Sequence, residues 1–197
     1  MLLRCATTNP GKLREFRAAV DHLGFKGLSI EPLDGLSGLP VPVEDGETFE
    51  ANAIKKAVHY SAFADEPVFA DDSGLEVDAL NGAPGVWSAR FAGEGATDEA
   101  NNRLLVERLR GVEQRTARFV CVIAVARRGE VLATFRGAVE GRIVDDACGP
   151  NGFGYDPHFF HEPFGCTFGE AAPERKMGVS HRGQALRALL DWAGERR

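Results

Sequence analysis

The segment from Ala117 to Ala126 limits the possible folds more than any other part of the chain. Its residues are apolar at both alternating positions of an extended strand, which is typical of a central strand that is buried on both faces of a sheet. Arg127-Arg128-Gly129-Glu130 follows directly and predicts a hairpin turn into a second strand over Val131–Phe135. We therefore expect a sheet with some antiparallel pairing, covered on both sides.

Helical and strand patterns alternate along the rest of the chain. We predict further strands over 2–7, Pro67–Ala70 and Ala138–Val144. We predict helices from about Lys12, over Thr48–Phe63, from Thr97 or Asp98 to Gly111, and after Ser180. Glycine-rich segments between them are predicted as long loops over residues 31–47, 81–96 and 147–178. The pattern indicates a mixed α/β chain that forms a single domain over residues 1–197.

Composition and charge exclude several classes of protein. The 197 residues are 44% hydrophobic with a net charge of -6, so we expect one sizeable core and no basic face for a nucleic-acid polymer. No apolar run approaches the ~20 residues that cross a bilayer, and no signal peptide is evident. The four cysteines form no CxxC pair, which argues against structural zinc and favours a reducing compartment. These features predict a cytoplasmic protein with no membrane partner.

Two polar segments follow predicted strands. Thr7-Thr8-Asn9-Pro10-Gly11-Lys12 joins a strand to a helix, an arrangement that directs N–H groups at phosphate. On this segment alone, a capped turn with a surface lysine is the simpler interpretation. Asp71-Asp72-Ser73-Gly74 places two carboxylates at the end of an apolar strand, which suits Mg²⁺ together with water and phosphate oxygens. An acidic pair in a helix cap or turn is the alternative for these two aspartates.

A second acidic cluster and a lysine lie between these segments. Glu44, Asp45 and Glu47 occupy the first long loop, where one of them could complete a metal site with Asp72 or all could be solvated loop charge. Lys56 falls on the apolar face of the predicted helix. Such a lysine either extends its ammonium group to solvent or meets a buried anion.

The last third of the chain carries aromatic and basic residues. Phe153 and Tyr155 could stack on a base and Asp156 could accept hydrogen bonds from ring N–H groups, or the segment could be a structural turn packed by its two rings. His181 and Arg182 are expected in the first turn of the last helix, where the helix dipole disfavours cations. Binding an anion or a purine carbonyl would explain them; two exposed polar residues at a helix end is the alternative.

These segments together resemble the inosine triphosphate pyrophosphatase family, the non-canonical purine NTP pyrophosphatases. The matching segments occur in the family's order and cover nearly the whole chain: Thr7–Lys12, Glu50, Asn52 and Ala53 with Lys56, Ala70–Leu75, Gly82–Gly85, Ser88–Arg90, Phe153–Pro157 and Ser180–Arg182. The resemblance implies an elongated mixed β-sheet flanked by helices, two lobes with a central nucleotide-binding cleft, and a homodimer. It implies hydrolysis of ITP, dITP and XTP to the monophosphate and pyrophosphate, which removes these nucleotides before incorporation into DNA or RNA.

The resemblance also implies roles for individual residues. Asp72 corresponds to the general base and a magnesium ligand, and Glu44 to the other metal carboxylate, with Glu47 close by in a loosely aligned loop. The implied contacts to the triphosphate or sugar are Thr7, Thr8, Asn9, Pro10, Gly11, Lys12, Lys56, Ser73 and Lys176. The implied base pocket consists of Phe153, Gly154, Tyr155, Asp156, His181 and Arg182.

Base choice would follow from hydrogen-bond pairing in that pocket. Inosine and xanthosine present a carbonyl at C6, to which His181 and Arg182 can donate, whereas adenine presents an amino group. Guanine would have to be rejected at its 2-amino group, around residues 153–156. Two other functions remain open: a pyrophosphatase for other modified nucleotides, including pyrimidines, and a non-catalytic nucleotide sensor, which would need no metal carboxylates.

Overall fold

The computed structural model describes residues 2–23 and 29–195. Its strands are Leu2–Cys5 (β1), Ser29–Pro32 (β2), Val68–Val77 (β3), Thr116–Arg127 (β4), Glu130–Ile143 (β5), Phe159–His161 (β6) and Cys166–Thr167 (β7). Its α-helices are Pro10–Leu23 (α1), Phe49–Tyr60 (α2), Asp98–Arg108 (α3), Pro173–Val179 (α4) and His181–Gly194 (α5). The strands form a seven-stranded sheet in the order β2-β1-β3-β4-β5-β6-β7.

The sheet is mixed, as predicted. β1 pairs in parallel with β2 and β3, with Arg4 opposite Val68. β6 pairs in antiparallel fashion with both β5 and β7. The predicted hairpin joins β4 to β5, and Arg128 and Gly129 at its turn have φ values of 52° and 83°. Left-handed values at both central residues are those of a type I′ turn, whose twist matches the flanking strands.

Helix starts follow the capping signals in the sequence. The Asn9 side chain accepts a 2.8 Å hydrogen bond from Gly11 N and begins α1 at Pro10. This start is two residues earlier than predicted, because proline is favoured at the first helical position. Thr48 and Thr97 cap α2 and α3 through their hydroxyl groups. The predicted helices over these segments are confirmed.

Several predicted boundaries are wrong. β3 does not end at Ala70 but continues through the two aspartates to Val77, because Leu75 and Val77 are fully buried and extend its apolar pattern. β5 is one strand where two were predicted. The predicted loop over 147–178 contains β6, β7 and nearly all of α4. β2 begins before the first predicted loop and overlaps its start. Strands this short carry no periodic signal, since pairing with a neighbouring strand determines them.

The chain divides into two compact units, and β3, β4 and β5 each contribute residues to both. The first unit comprises Met1–Asp72, Cys121–Gly137 and His181–Arg197, and the second comprises Ser73–Val120 and Ala138–Ser180. In the core of the first, the rings of Phe16 and Phe69 meet edge to face at 5.3 Å. In the second, Phe159 lies 4.5 Å from Phe119 and 5.0 Å from Phe168, measured between ring centroids. Among the helices of the described residues, none combines the length and apolarity that crossing a bilayer requires.

Candidate functional site

The two consecutive aspartates of β3 point to opposite faces of the sheet. Side chains alternate along a strand, and here the Asp71 carboxylate faces Lys12 and Arg182 while the Asp72 carboxylate faces Asn52 and Lys56. The two carboxylates therefore have different partners, and a cation held by the pair together stays a prediction. The alternative of an acidic pair in a cap or turn is wrong, since both residues lie within a strand.

Asp72 belongs to a cluster in the first unit that we call the Asp72 cluster: Glu44, Asn52, Lys56 and Asp72. Lys56 Nζ lies 3.1 Å from Asp72 Oδ1 and 3.1 Å from Glu44 Oε2. Asn52 Nδ2 donates to Asp72 Oδ2 at 3.2 Å. One ammonium group thus draws two carboxylates toward a common point, and each oxygen of Asp72 is held by a different donor.

Helix α2 places both donors of this cluster. Asn52 and Lys56 are four residues apart and lie on one face of the helix. Asn52 is 1% exposed, and the Lys56 side chain is 12% exposed. The alternative in which Lys56 extends its ammonium group to solvent is wrong, because that group is occupied by two carboxylates. The first acidic loop reaches the cluster through Glu44, whereas Glu47 is exposed.

The charges in the Asp72 cluster shift one another's protonation. Burial raises the pKa of Asp72 and Glu44 adds to the effect, while Lys56 and Lys12 oppose it, so the net direction is upward. Burial lowers the pKa of Lys56, but Asp72, Asp71 and Glu44 outweigh it, so this pKa is raised. Lys56 therefore remains charged at neutral pH, and Asp72 is a stronger base than an exposed aspartate.

The carboxylates of this cluster suit magnesium better than they suit a metal ion whose ligands all come from the protein. Mg²⁺ commonly binds through one or two carboxylates, with waters and substrate phosphates filling the other positions. Glu44 and Asp72 supply two such carboxylates on either side of Lys56. Among the described residues, no group of three or more His, Cys, Asp or Glu side chains forms a complete metal site. Any magnesium here would need further oxygen ligands from water or from the substrate.

Asp71 belongs to a second cluster in the first unit, the Asp71 cluster: Lys12, Glu15, Asp71 and Arg182. Lys12 Nζ lies 2.8 Å from Asp71 Oδ2, and Arg182 Nε lies 3.9 Å from the same oxygen. Arg182 also pairs with Glu15 through Nη1. Burial raises the pKa of Asp71, but Lys12, Arg182 and Lys56 outweigh it and lower the value to about 2. This carboxylate is ionised at any physiological pH.

The Thr7–Lys12 segment combines parts of both interpretations. Asn9 caps the helix, accepting from Gly11 N at 2.8 Å and from Lys12 N at 3.1 Å. The capped turn is confirmed, but the surface lysine is not, since the Lys12 side chain is 17% exposed and bound to Asp71. Thr8 and Pro10 are exposed and Thr7 is half-buried.

His181 and Arg182 are buried, at 4% and 2% exposure. The alternative of two exposed polar residues at a helix end is therefore wrong. Burial opposes ionisation of Arg182, but Glu15 and Asp71 outweigh it and raise its pKa above the usual range. Gly137 allows this close packing, because a Cβ there would lie 2.1 Å from the carbonyl oxygen of His181.

In the second unit, the predicted base-pocket loop is tied to Lys176. Asp156 Oδ2 accepts from Lys176 Nζ at 2.6 Å and from Phe153 N at 2.9 Å. The Lys176 ammonium group also lies 5.4 Å from the centroid of the Phe153 ring. Asp156 and Lys176 are 2% and 5% exposed. Ser73, the other predicted contact in this unit, is half-buried.

Helix α3 holds the same loop through residues that the sequence did not single out. Asp98 Oδ2 accepts from Gly154 N at 2.7 Å, and Asn102 Nδ2 donates to Gly154 O at 2.9 Å. The Tyr155 hydroxyl donates to Ser88 O at 2.8 Å. The i, i+4 spacing of Asp98 and Asn102 is visible in the sequence, but their partner is not. Glu15 and Asn52 were missed as cluster members for the same reason.

The model of the Ham1 family matches residues 3–192 of the sequence. The chain belongs to the Ham1 family. The resemblance drawn from the sequence motifs is thereby confirmed, and the match spans every predicted site residue.

Relatives in the Ham1 family align over nearly their whole length. A dITP/XTP pyrophosphatase of an Exiguobacterium species is 50% identical and covers 96% of this chain and 95% of its own. A dITP/XTP pyrophosphatase of Geobacter sulfurreducens is 50% identical over 96% of this chain and 94% of its own. The Staphylococcus aureus Ham1 protein superposes with a TM-score of 0.87 at 36% identity, covering 100% of both chains. The predicted mixed sheet flanked by helices is the fold of this family.

Proposed function

We propose that the chain hydrolyses non-canonical purine nucleoside triphosphates, namely ITP, dITP and XTP, to the monophosphate and pyrophosphate in a magnesium-dependent reaction. Relatives named dITP/XTP pyrophosphatases share half of their residues with it over nearly the full length. The observation that carries the catalytic part of the proposal is the Asp72 cluster, in which Lys56 joins Asp72 and Glu44 at 3.1 Å each.

Asp72 is proposed to take the proton from the water that attacks the α-phosphorus. Its carboxylate has about four lone-pair sites, and the bonds from Lys56 and Asn52 use part of that capacity while fixing its orientation. Burial at 7% exposure limits competing solvent. A positioned base of this kind contributes about 10²–10⁴ in rate. The bond from the α-phosphorus to the bridging oxygen breaks, and pyrophosphate leaves.

Magnesium would be held by Glu44 and Asp72. When bound, the ion would neutralise phosphate charge and acidify the attacking water. Lys56 stays positively charged, since its pKa is raised, and its ammonium group lies 3.1 Å from each of the two carboxylates. Lys12 and Lys56, with the hydroxyl and backbone groups of Thr7–Lys12, are proposed as the contacts to the triphosphate.

Phe153, Gly154, Tyr155, Asp156, His181 and Arg182, which the family resemblance assigns to the base, are proposed to recognise it, and Lys176 is proposed to contact the phosphates or sugar. Arg182→Ala would remove a buried charge from Glu15 and Asp71, so Arg182→Lys is the better test. It keeps the charge but loses the planar, five-donor guanidinium group. We expect Arg182→Lys to narrow the preference for ITP over ATP, measured as the ratio of the two kcat/KM values. An unchanged ratio in the folded variant would remove Arg182 from the pocket.

The central experiment measures pyrophosphate release from ITP with magnesium, with and without chelator. The wild type is expected to require the metal, and Asp72→Asn is expected to lose most turnover while keeping its fold. Asp78→Asn is the matched control, since Asp78 directly follows the same strand but is bonded to Thr116 and Arg118. Near-normal turnover of Asp72→Asn would refute the assignment of the base.

Parallel assays separate the proposed substrates from other nucleotides. XTP, dITP, ATP and dUTP are compared under the same conditions, and a faster reaction with dUTP would favour a pyrimidine nucleotide instead. Cytoplasmic location and a homodimer complete the proposal. Sedimentation of the purified chain tests the dimer, and a single monomeric species at assay concentration would contradict it.

A further inference from the structure

We propose that Asn52 is a positioning residue that aligns the two metal-binding carboxylates of the Asp72 cluster. The inference rests on the proposed function and adds a residue that makes no direct contact with the reacting atoms. Asn52 is 1% exposed and lies one helical turn before Lys56 on α2. Its amide joins the acidic loop, which carries Glu44, to the strand that carries Asp72.

The side-chain amide of Asn52 uses both of its ends. Oδ1 accepts from Gly46 N at 2.8 Å, while Nδ2 donates to Gly46 O at 3.3 Å and to Asp72 Oδ2 at 3.2 Å. The reversed amide would place a carbonyl oxygen against a carboxylate and a donor against an N–H group, so only this orientation is satisfied. One side chain thus fixes both the loop and the carboxylate.

Gly46 makes this bridge sterically possible. A Cβ at this position would lie 2.6 Å from Asn52 Oδ1 and 2.9 Å from Ala51 Cβ. The loop therefore packs against the start of α2 too closely for any side chain. Glu44 is two residues before this contact, so the distance between its carboxylate and that of Asp72 depends on the bridge.

Lys56 alone would not fix this geometry. Its ammonium group attracts both carboxylates, but it is a point charge on a flexible stem that imposes little directional control. Asn52 supplies the direction: it holds Asp72 Oδ2 from one side while Lys56 holds Oδ1 from the other. Residues that orient metal ligands in this way typically affect metal affinity or activity by about 10–100-fold when removed.

The chain contains a matched control in Asn101. This residue is 3% exposed and bridges another loop in the same manner, accepting from Ala92 N at 2.8 Å and donating to Ala89 O at 3.2 Å. Both of these partners are backbone groups, so the bridge that Asn101 makes does not involve a carboxylate. Asn101→Ala therefore reports the cost of losing a buried loop bridge by itself.

The test compares Asn52→Ala with Asn101→Ala in two measurements. The first is the magnesium concentration that gives half-maximal pyrophosphate release from ITP. The second is calorimetric binding of Mn²⁺ in the presence of a non-hydrolysable α,β-methylene analogue of ITP. We expect Asn52→Ala to raise the half-saturating magnesium concentration and to lower the Mn²⁺ affinity, each by about 10–100-fold. Asn101→Ala should lower thermal stability without changing either of these two quantities.

Gly46→Ala tests the bonds between Asn52 and the loop separately from the bond between Asn52 and Asp72. Its added Cβ would clash with Asn52 Oδ1, so the loop must move away from the amide, but the Nδ2 group that donates to Asp72 is still present; metal affinity should therefore fall by less than in Asn52→Ala. Because both substitutions act through one bridge, the double variant should resemble Asn52→Ala alone rather than the sum of the two effects. If Asn52→Ala does not fold, Asn52→Ser and Gly46→Ala provide the same comparison.

Equal behaviour of Asn52→Ala and Asn101→Ala in both metal measurements would overturn the inference while leaving the proposed function in place. Additive effects of the Gly46 and Asn52 substitutions would also overturn it. Failure of the wild type to release pyrophosphate from ITP with magnesium would instead refute the proposed function, so the two failures are distinguishable.

Discussion

Asp71 and Asp72 are neighbours in sequence but belong to separate ionic clusters on opposite faces of β3. The environment of Asp71 favours its charge, since its pKa is lowered to about 2. The environment of Asp72 disfavours its charge, because burial raises its pKa. The same substitution to asparagine is therefore expected to change the free energy of unfolding in opposite directions at the two positions.

Asp71→Asn is expected to lower the free energy of unfolding by about 3–5 kcal/mol, the usual cost of breaking a buried ion pair. It leaves Lys12 and Arg182 facing a neutral amide. Asp72→Asn should leave the free energy of unfolding unchanged or increase it, since it removes a charge that burial penalises. Urea denaturation at neutral pH measures both. The interpretation fails if Asp72→Asn is the more destabilised variant.

Glu44 and Glu47 differ in their predicted effect on magnesium. Glu44 contacts Lys56 in the Asp72 cluster, whereas Glu47 is exposed. Glu44→Gln should raise the half-saturating magnesium concentration by at least about tenfold, because loss of even an outer partner of a metal site costs about 10–100-fold. Glu47→Gln is the control from the same loop and should behave as the wild type. A larger rise in the half-saturating magnesium concentration for Glu47→Gln than for Glu44→Gln would assign the metal ligand to Glu47.

Tyr155 gives the protein a defined sensitivity to alkaline pH. Burial, with a contribution from Asp98, raises the pKa of its hydroxyl above the ordinary value. The unfolded chain ionises this tyrosine near pH ~10 while the folded chain keeps it neutral. Its contribution to stability is thus complete below that pH and is lost as the pH rises toward the higher folded value.

Tyr155→Phe removes this titration together with the bond to Ser88 O. At neutral pH the variant should be less stable by about 1–3 kcal/mol, because it leaves the Ser88 carbonyl without that donor. Above pH ~10 the wild type should lose stability faster than the variant, by a difference approaching about 1.4 kcal/mol per pH unit. Denaturation curves that run parallel across this range would contradict the assignment.

The hairpin between β4 and β5 contains a correctable strain. Arg128 has a φ of 52°, a left-handed conformation that costs most residues about 1–2 kcal/mol but that asparagine adopts readily. Its exposed ion pair with Asp65, at 3.6 Å, is worth about 0–1 kcal/mol. Arg128→Asn should therefore stabilise the protein by about 0.5–1 kcal/mol, measured by thermal unfolding. A lower melting temperature would mean that the lost ion pair with Asp65 costs more than is gained by relieving the left-handed backbone conformation at residue 128.

Local sequence signals identified many of the helices, strands and turns. The apolar run of β4, the turn after it, and the caps Thr48 and Thr97 were all predictable, because each depends on residues within a few positions of one another. The ordered motifs likewise identified the family. Short β2, β6 and β7 were missed, since each forms by pairing with strands distant in sequence.

The sequence by itself named the side chains that are proposed to carry the chemistry: Glu44, Lys56 and Asp72 came from the motifs and the family resemblance, and their types suit a phosphate substrate with a metal. Only the tertiary structure decided how they are grouped. It separated Asp71 from Asp72, placed Glu44 rather than Glu47 beside Lys56, and brought Asn52 and Arg182 into the two clusters. Residue type is a local property of the chain, whereas the partner of a buried charge depends on how distant helices and strands pack around it.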